Sequence, residues 1–173
     1  MKSGNVKYYL MQEREILAKG YDFKYWIYDF DKREWILDTK NIISDALMGF
    51  DDSEPEDSPY RIGNTSVMAE IKEIPIQTAQ EIISDITVRN LLEKWREKFK
   101  EAKKEWDEKP LWPAKHVETK FVLNGRVYTI CPEDLGFQFD PWDEGFMESI
   151  QKDLEKDLLA VGAMNVSHSG FLD

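Results

Sequence analysis

Asn124-Gly125 stands between two stretches rich in β-branched and aromatic residues, Val117 to Leu123 and Arg126 to Cys131. A two-residue type I′ turn needs positive φ at both central positions, and Asn-Gly tolerates that best. Such a turn sets the hairpin register: Leu123 faces Arg126, Phe121 faces Tyr128 and Thr119 faces Ile130. Side chains alternate along a strand, so Phe121, Leu123, Tyr128 and Ile130 share one face. The opposite face carries Glu118, Lys120 and Thr129 alongside Val122, Val127 and Cys131. The first face is apolar enough to require a helix packed on it.

A helix downstream can supply that cover. Asp140 suits its N-cap, Pro141 the first helical position and Gly162 the stop. Trp142, Phe146, Ile150, Leu154 and Leu158 recur at four-residue steps, with Asp143, Glu144, Glu148, Lys152, Glu155 and Lys156 on the other faces. Met164 to Asp173 can add a final edge strand. A second helix precedes the hairpin, opened by the capping box Thr78-x-x-Glu81. Ile82, Ile83, Ile86, Leu91, Leu92, Trp95, Phe99, Ala102 and Trp106 form its apolar stripe. Glu93–Arg96, Glu97–Lys100 and Glu101–Lys104 are supporting pairs, and Pro110 and Pro113 end the element. Thr87 could instead cap a separate helix after a break at Asp85.

The first third of the chain has strand composition. Val6 to Met11, Asp22 to Tyr28 and Glu34 to Leu37 are aromatic or β-branched runs, the last two separated by the turn Asp29 to Lys32. In the second run Phe23, Tyr25 and Ile27 fall on one face and Lys24, Trp26 and Tyr28 on the other. A short helix is expected at Asn41 to Met48, stopped by Gly49. Val67 to Ile74 alternates as a further strand. These elements make an α+β fold: an antiparallel sheet, formed by an N-terminal meander plus the hairpin near 117–131, packed against two or three helices. We expect one domain over residues 1–173, with 110–113 the place for any subdivision.

The chain has 173 residues, 23 basic and 34 acidic, for a net charge of −11. That excess argues against a general nucleic-acid binder, which needs clustered Lys and Arg. Residues 1–88 carry −7, residues 89–109 carry +2 and residues 110–173 carry −6. The single cysteine, Cys131, excludes an internal disulfide framework. The first twenty residues hold no sustained apolar stretch of signal-peptide length and no run approaches a membrane span, so a cytoplasmic chain without membrane contact is expected.

Chemical motifs are sparse. Asp51-Asp52-Ser53-Glu54-Pro55-Glu56-Asp57 gathers five carboxylates in seven residues. An EF-hand template started at Asp51 puts Glu56 where glycine belongs and Ile62 where the bidentate glutamate belongs, so it reads as a solvated acidic loop. His116-Val117-Glu118 has the H-x-E spacing of zinc deaminases, but their P-C-x-x-C partner is missing and Cys131 is followed by Pro132. No metal or cofactor is expected. Cys131 beside His116 or His168 would need a spatial pairing that spacing does not show; a small buried residue is the simpler role. Ser167-His168-Ser169-Gly170 lacks the glycine of a nucleophile elbow, and no phosphate-cradling glycine loop occurs. Tyr25, Trp26, Tyr28 and Trp35 could stack on a base or sugar, though core packing explains them more simply.

The expected function is a non-catalytic acidic binding protein capturing a basic protein, as an immunity-type inhibitor captures a bacterial toxin, with no nucleic-acid partner. Asp51, Asp52, Glu54, Glu56 and Asp57 would meet the partner, with Tyr60 and Trp112 as anchors. The alternatives are a carboxylate enzyme, with or without Mg²⁺, built on Glu133, Asp134, Asp140 and His168, or an assembly subunit. The latter would self-associate through an edge strand or the Trp95–Phe99–Trp106 stripe.

Overall fold

The computed structural model describes residues 4–12, 15–101, 104, 118–136 and 144–169. It is an α+β protein with one five-stranded and one three-stranded antiparallel sheet. The chain divides into two compact units, Met1–Ile83 and Ser84–Asp173.

In the first unit β1 (Lys7–Met11), β2 (Ile16–Tyr21), β3 (Lys24–Asp29), β4 (Glu34–Leu37) and β5 (Lys72–Ile74) form a sheet in the order β4-β3-β2-β1-β5. Strand β2 was not expected. It pairs with β3 through a two-residue turn, Asp22-Phe23, whose φ angles are 50° and 59°. Phe23 therefore does not share a strand face with Tyr25 and Ile27; it sits in the turn and is 93% exposed. Positive φ at a phenylalanine has no sequence signature, so the residue pattern does not reveal this turn.

Register separates the aromatic residues. Tyr9, Met11, Ala18, Tyr25 and Ile27 gather with Ile43 and Ala46 from helix α1 (Ile42–Met48) in one apolar cluster. Tyr8, Lys19, Trp26, Tyr28 and Trp35 lie on the opposite sheet face. The stretch expected as one strand over Val67 to Ile74 splits: Thr65–Met68 is a short helix, α2, and only Lys72–Ile74 is strand. The Asn64 side chain decides this, accepting from the N–H groups of Ser66 and Val67 at 2.9 and 3.3 Å.

Helix α3 (Ile76–Lys98) starts directly after Pro75, whose carbonyl accepts from Ala79 N–H at 3.1 Å. Thr78 therefore lies inside the first turn rather than capping it. The helix passes Asp85 and Thr87 unbroken.

In the second unit β6 (Glu118–Leu123), β7 (Arg126–Ile130) and β8 (Met164–Ser169) form a sheet in the order β7-β6-β8. The β6–β7 register is the one the Asn-Gly turn specifies, with φ of 49° at Asn124 and 78° at Gly125. Phe121, Leu123 and Ile130 pack with Val88, Leu91 and Trp95 of α3, with Phe99 just past its end, and with Ile150, Leu154 and Leu158 of α4 (Glu144–Ala160). Both helices, not the last alone, cover the hairpin. The Trp95–Phe99 stripe expected as a self-association surface is core, at 0% and 7% exposure; Trp106 lies outside the described residues. The expected N-cap Asp140 and first-turn Pro141 also lie outside them.

Two polar ties fix this unit. The Asn124 amide donates to Ser84 Oγ at 2.7 Å, while Arg126 and the Tyr128 hydroxyl donate to the two Asp85 oxygens at 3.1 and 2.6 Å. Trp95 Nε1 donates to Asp157 Oδ2 at 2.8 Å, and Lys94 and Lys98 pair with Asp157 and Asp153 at 3.2 and 2.9 Å. Burial pushes the Asp157 carboxyl up, but the Trp95 N–H and Lys94 outweigh it and hold the group below its usual 3.8. Replacing Asp157 by alanine orphans a buried indole N–H, and urea unfolding should show a loss of about 1–3 kcal/mol. A carboxylate held low contributes stability in full above about 3.8, and that contribution disappears as pH falls further. The Asp157→Asn variant should accordingly show a shallower acid loss than the parent.

Burial, then Asp85, pushes the Tyr128 hydroxyl up to about 12 from 10.0. A raised pKa favours the protonated form in the folded state, so this stability is whole below pH 10 and lost towards 12. In Tyr128→Phe the unfolding midpoint should fall less between those two pH values.

Candidate partner-binding loop

The acidic segment is a closed loop rather than a slack one. Helix α1 ends at Gly49, whose φ is 64°, with Phe50 N–H reaching back to the Asp45 carbonyl at 2.8 Å. The loop then returns to its start: Gly63 N–H donates to the Met48 carbonyl at 2.8 Å and Asn64 N–H to that of Gly49 at 3.0 Å. A Cβ at Gly49 would lie 2.7 Å from the Asn64 backbone, so only glycine admits this closure. Segments of this length with adjoining ends, packed by their own side chains, are Ω-loops.

The five acids divide into two roles. Asp51 accepts from Ser53 N–H and Oγ on one oxygen and from the Asn64 amide at 2.9 Å on the other. Hydrogen bonds from the Ser53 hydroxyl and backbone hold its carboxyl below the ordinary value. Glu54 accepts from Ser58 Oγ at 2.9 Å, and that oxygen in turn accepts from Tyr60 N–H at 3.2 Å. Asp51 and Glu54 thus build the loop. Asp52, Glu56 and Asp57 are exposed. In the same loop the Arg61 guanidinium lies over the Phe50 ring at 4.9 Å.

The same loop and its closure also carry large exposed apolar side chains. Tyr60 is 75% exposed and Ile62 62%, with Met48 at 49% and Met68 at 43% where the loop closes. Nothing in a linear pattern marks Ile62, Met48 and Met68 as apolar residues left in solvent. Trp112, the other expected anchor, lies outside the described residues.

Among the described residues, those considered for an enzyme do not converge. Asp134 Oδ2 accepts from Cys131 N–H at 2.8 Å in the 3₁₀ turn Pro132–Leu135, which also holds Glu133. His168 is on β8, two strands from Ile130 across the sheet, and Asp140 lies outside the described residues. His168 Nδ1 does meet Thr119 Oγ1 at 2.8 Å, with Nε2 3.6 Å from Glu155. This has the order of a nucleophile, base and carboxylate, but Thr119 is 3% exposed on the helix-covered sheet face, out of a substrate's reach. The Thr119–His168 hydrogen bond ties β8 to β6. Among the described residues no three His, Cys, Asp or Glu side chains are grouped to hold a metal ion, and no helix is long and apolar enough to cross a membrane.

Compared with protein-family models, characterised proteins and solved structures, the chain matches none.

The loop's closure sets a stability expectation. Gly49→Ala strains both φ and the Asn64 contact, and should cost about 1–3 kcal/mol by chemical unfolding. Asp52→Ala, in solvent, should stay within about 0.5 kcal/mol of the parent.

Proposed function

We propose that the 49–64 loop docks a basic protein, and that the chain is a non-catalytic cytoplasmic inhibitor of the immunity type, neutralising a cationic toxin such as a bacterial nuclease. One observation carries the reading: Asp52, Glu56 and Asp57 are exposed on the same closed loop that leaves Tyr60 and Ile62 largely in solvent. An aromatic anchor ringed by charge is the usual composition of an energetic centre with a polar rim. Closure supports the reading too. A loop already ordered by Asp51, Glu54, Ser58 and Asn64 loses little further entropy on binding. The carboxylates would mainly speed encounter, while Tyr60 and Ile62 would slow dissociation.

The test is inhibition of a panel of cationic nuclease toxin domains. At least one should be inhibited, more weakly as salt rises, because exposed charges are screened over about 8 Å at physiological ionic strength. Reversing Asp52, Glu56 and Asp57 together to lysine should abolish that inhibition while the fold persists. Tyr60→Ala should raise the dissociation rate by about tenfold or more, as loss of an aromatic anchor does. Inhibition untouched by charge reversal, or no inhibited member, would remove this function from the loop.

A further inference from the structure

The five-stranded sheet has a second surface of different chemistry. On the face turned away from the Tyr9–Ile43 cluster, Tyr8, Lys19 and Trp26 lie in register on adjacent strands, with Tyr28 paired to Trp35 beside them. The rings form one patch: Trp35 is 6.0 Å from Tyr8 and 5.0 Å from Tyr28, centroid to centroid. Lys19 Nζ sits within it, 4.7 Å from the Trp35 ring centre and 5.8 Å from that of Trp26. These side chains are half-buried, and Tyr21 (43%) and Leu37 (48%) flank them in solvent.

Charge on that face runs against the composition of the chain. Alternation places Lys19, Lys24 and Lys72 there, and none of the strand residues sharing the face is Asp or Glu. Glu34, Asp29 and Glu73 all fall on the other face. Net charge of −11 opposes polyanions over the whole surface, but screening within about 8 Å leaves the local face to decide contact. An acidic peptide would satisfy the lysines and leave the rings unused. A strand of phosphates bearing flat bases satisfies both.

We propose that this face binds single-stranded nucleic acid, with bases stacking on Trp26, Trp35 and Tyr21 and phosphates meeting Lys19 and Lys24. Recognition of this kind is sequence-tolerant, since every base offers a π-face. The surface is separate from the acidic loop and asks for the opposite charge.

Fluorescence anisotropy of a dye-labelled oligothymidylate, about ten nucleotides long, tests it on the full chain. Saturable binding should appear at about 0.05 M salt and weaken steeply towards 0.2 M. Trp35→Ala and Tyr21→Ala should each weaken it about tenfold. Lys24→Gln, at an exposed position where folding is not at stake, should flatten the salt slope by about 0.7. Poly-glutamate should compete poorly. Absence of binding at low salt, equal competition by poly-glutamate, or an unchanged slope in Lys24→Gln with its circular dichroism intact would each overturn the proposal.

Discussion

The acidic loop depends on one close approach, that of Gly49 to Asn64. The absence of a Cβ at Gly49 lets the Asn64 backbone come near enough to hydrogen-bond, and this joins the end of α1 to the start of α2. Asn64 then serves three neighbours: its N–H meets Gly49, its amide nitrogen Asp51 and its amide oxygen the first turn of α2. Five carboxylates in seven residues would otherwise favour an extended, self-repelling segment. The closure offsets that repulsion by giving Asp51 and Glu54 hydrogen-bond donors, leaving Asp52, Glu56 and Asp57 to the solvent.

The same economy recurs elsewhere. Asp85 takes two donors from β7, Asp157 takes the Trp95 indole and Lys94, and Asp134 caps Cys131. A sizeable part of the acid excess is therefore structural. Counting charges from composition overstates how much is available to a partner, and the surface that counts is smaller and more local than −11 implies.

Legibility in the sequence followed the locality of the cause. The β6–β7 register was readable because Asn124-Gly125 specifies one turn and that turn specifies every pair. The stop at Gly49 was readable for the same reason. Strand β2 was not: its alternation is interrupted by Lys19 and Gly20, and its turn uses positive φ at Asp22 and Phe23, residues that do not advertise it. Val67 and Met68 alternate as a strand would, but the side chain of Asn64 commits them to a helix. At the candidate site the acids were legible as a block. The division between loop-building and exposed members was not, because it rests on hydrogen bonds to Ser53, Ser58 and Asn64 that no spacing rule encodes.

Docking by this loop requires that it exist before the partner arrives. Amide hydrogen exchange in the isolated chain addresses that directly. In a preformed loop Asp51, Gly63 and Asn64, whose N–H groups close it, exchange many times more slowly than Asp52 or Asp57 beside them. Uniform exchange at unprotected rates from residue 50 to 64 would mean that the loop has no shape of its own and cannot dock as a preformed surface.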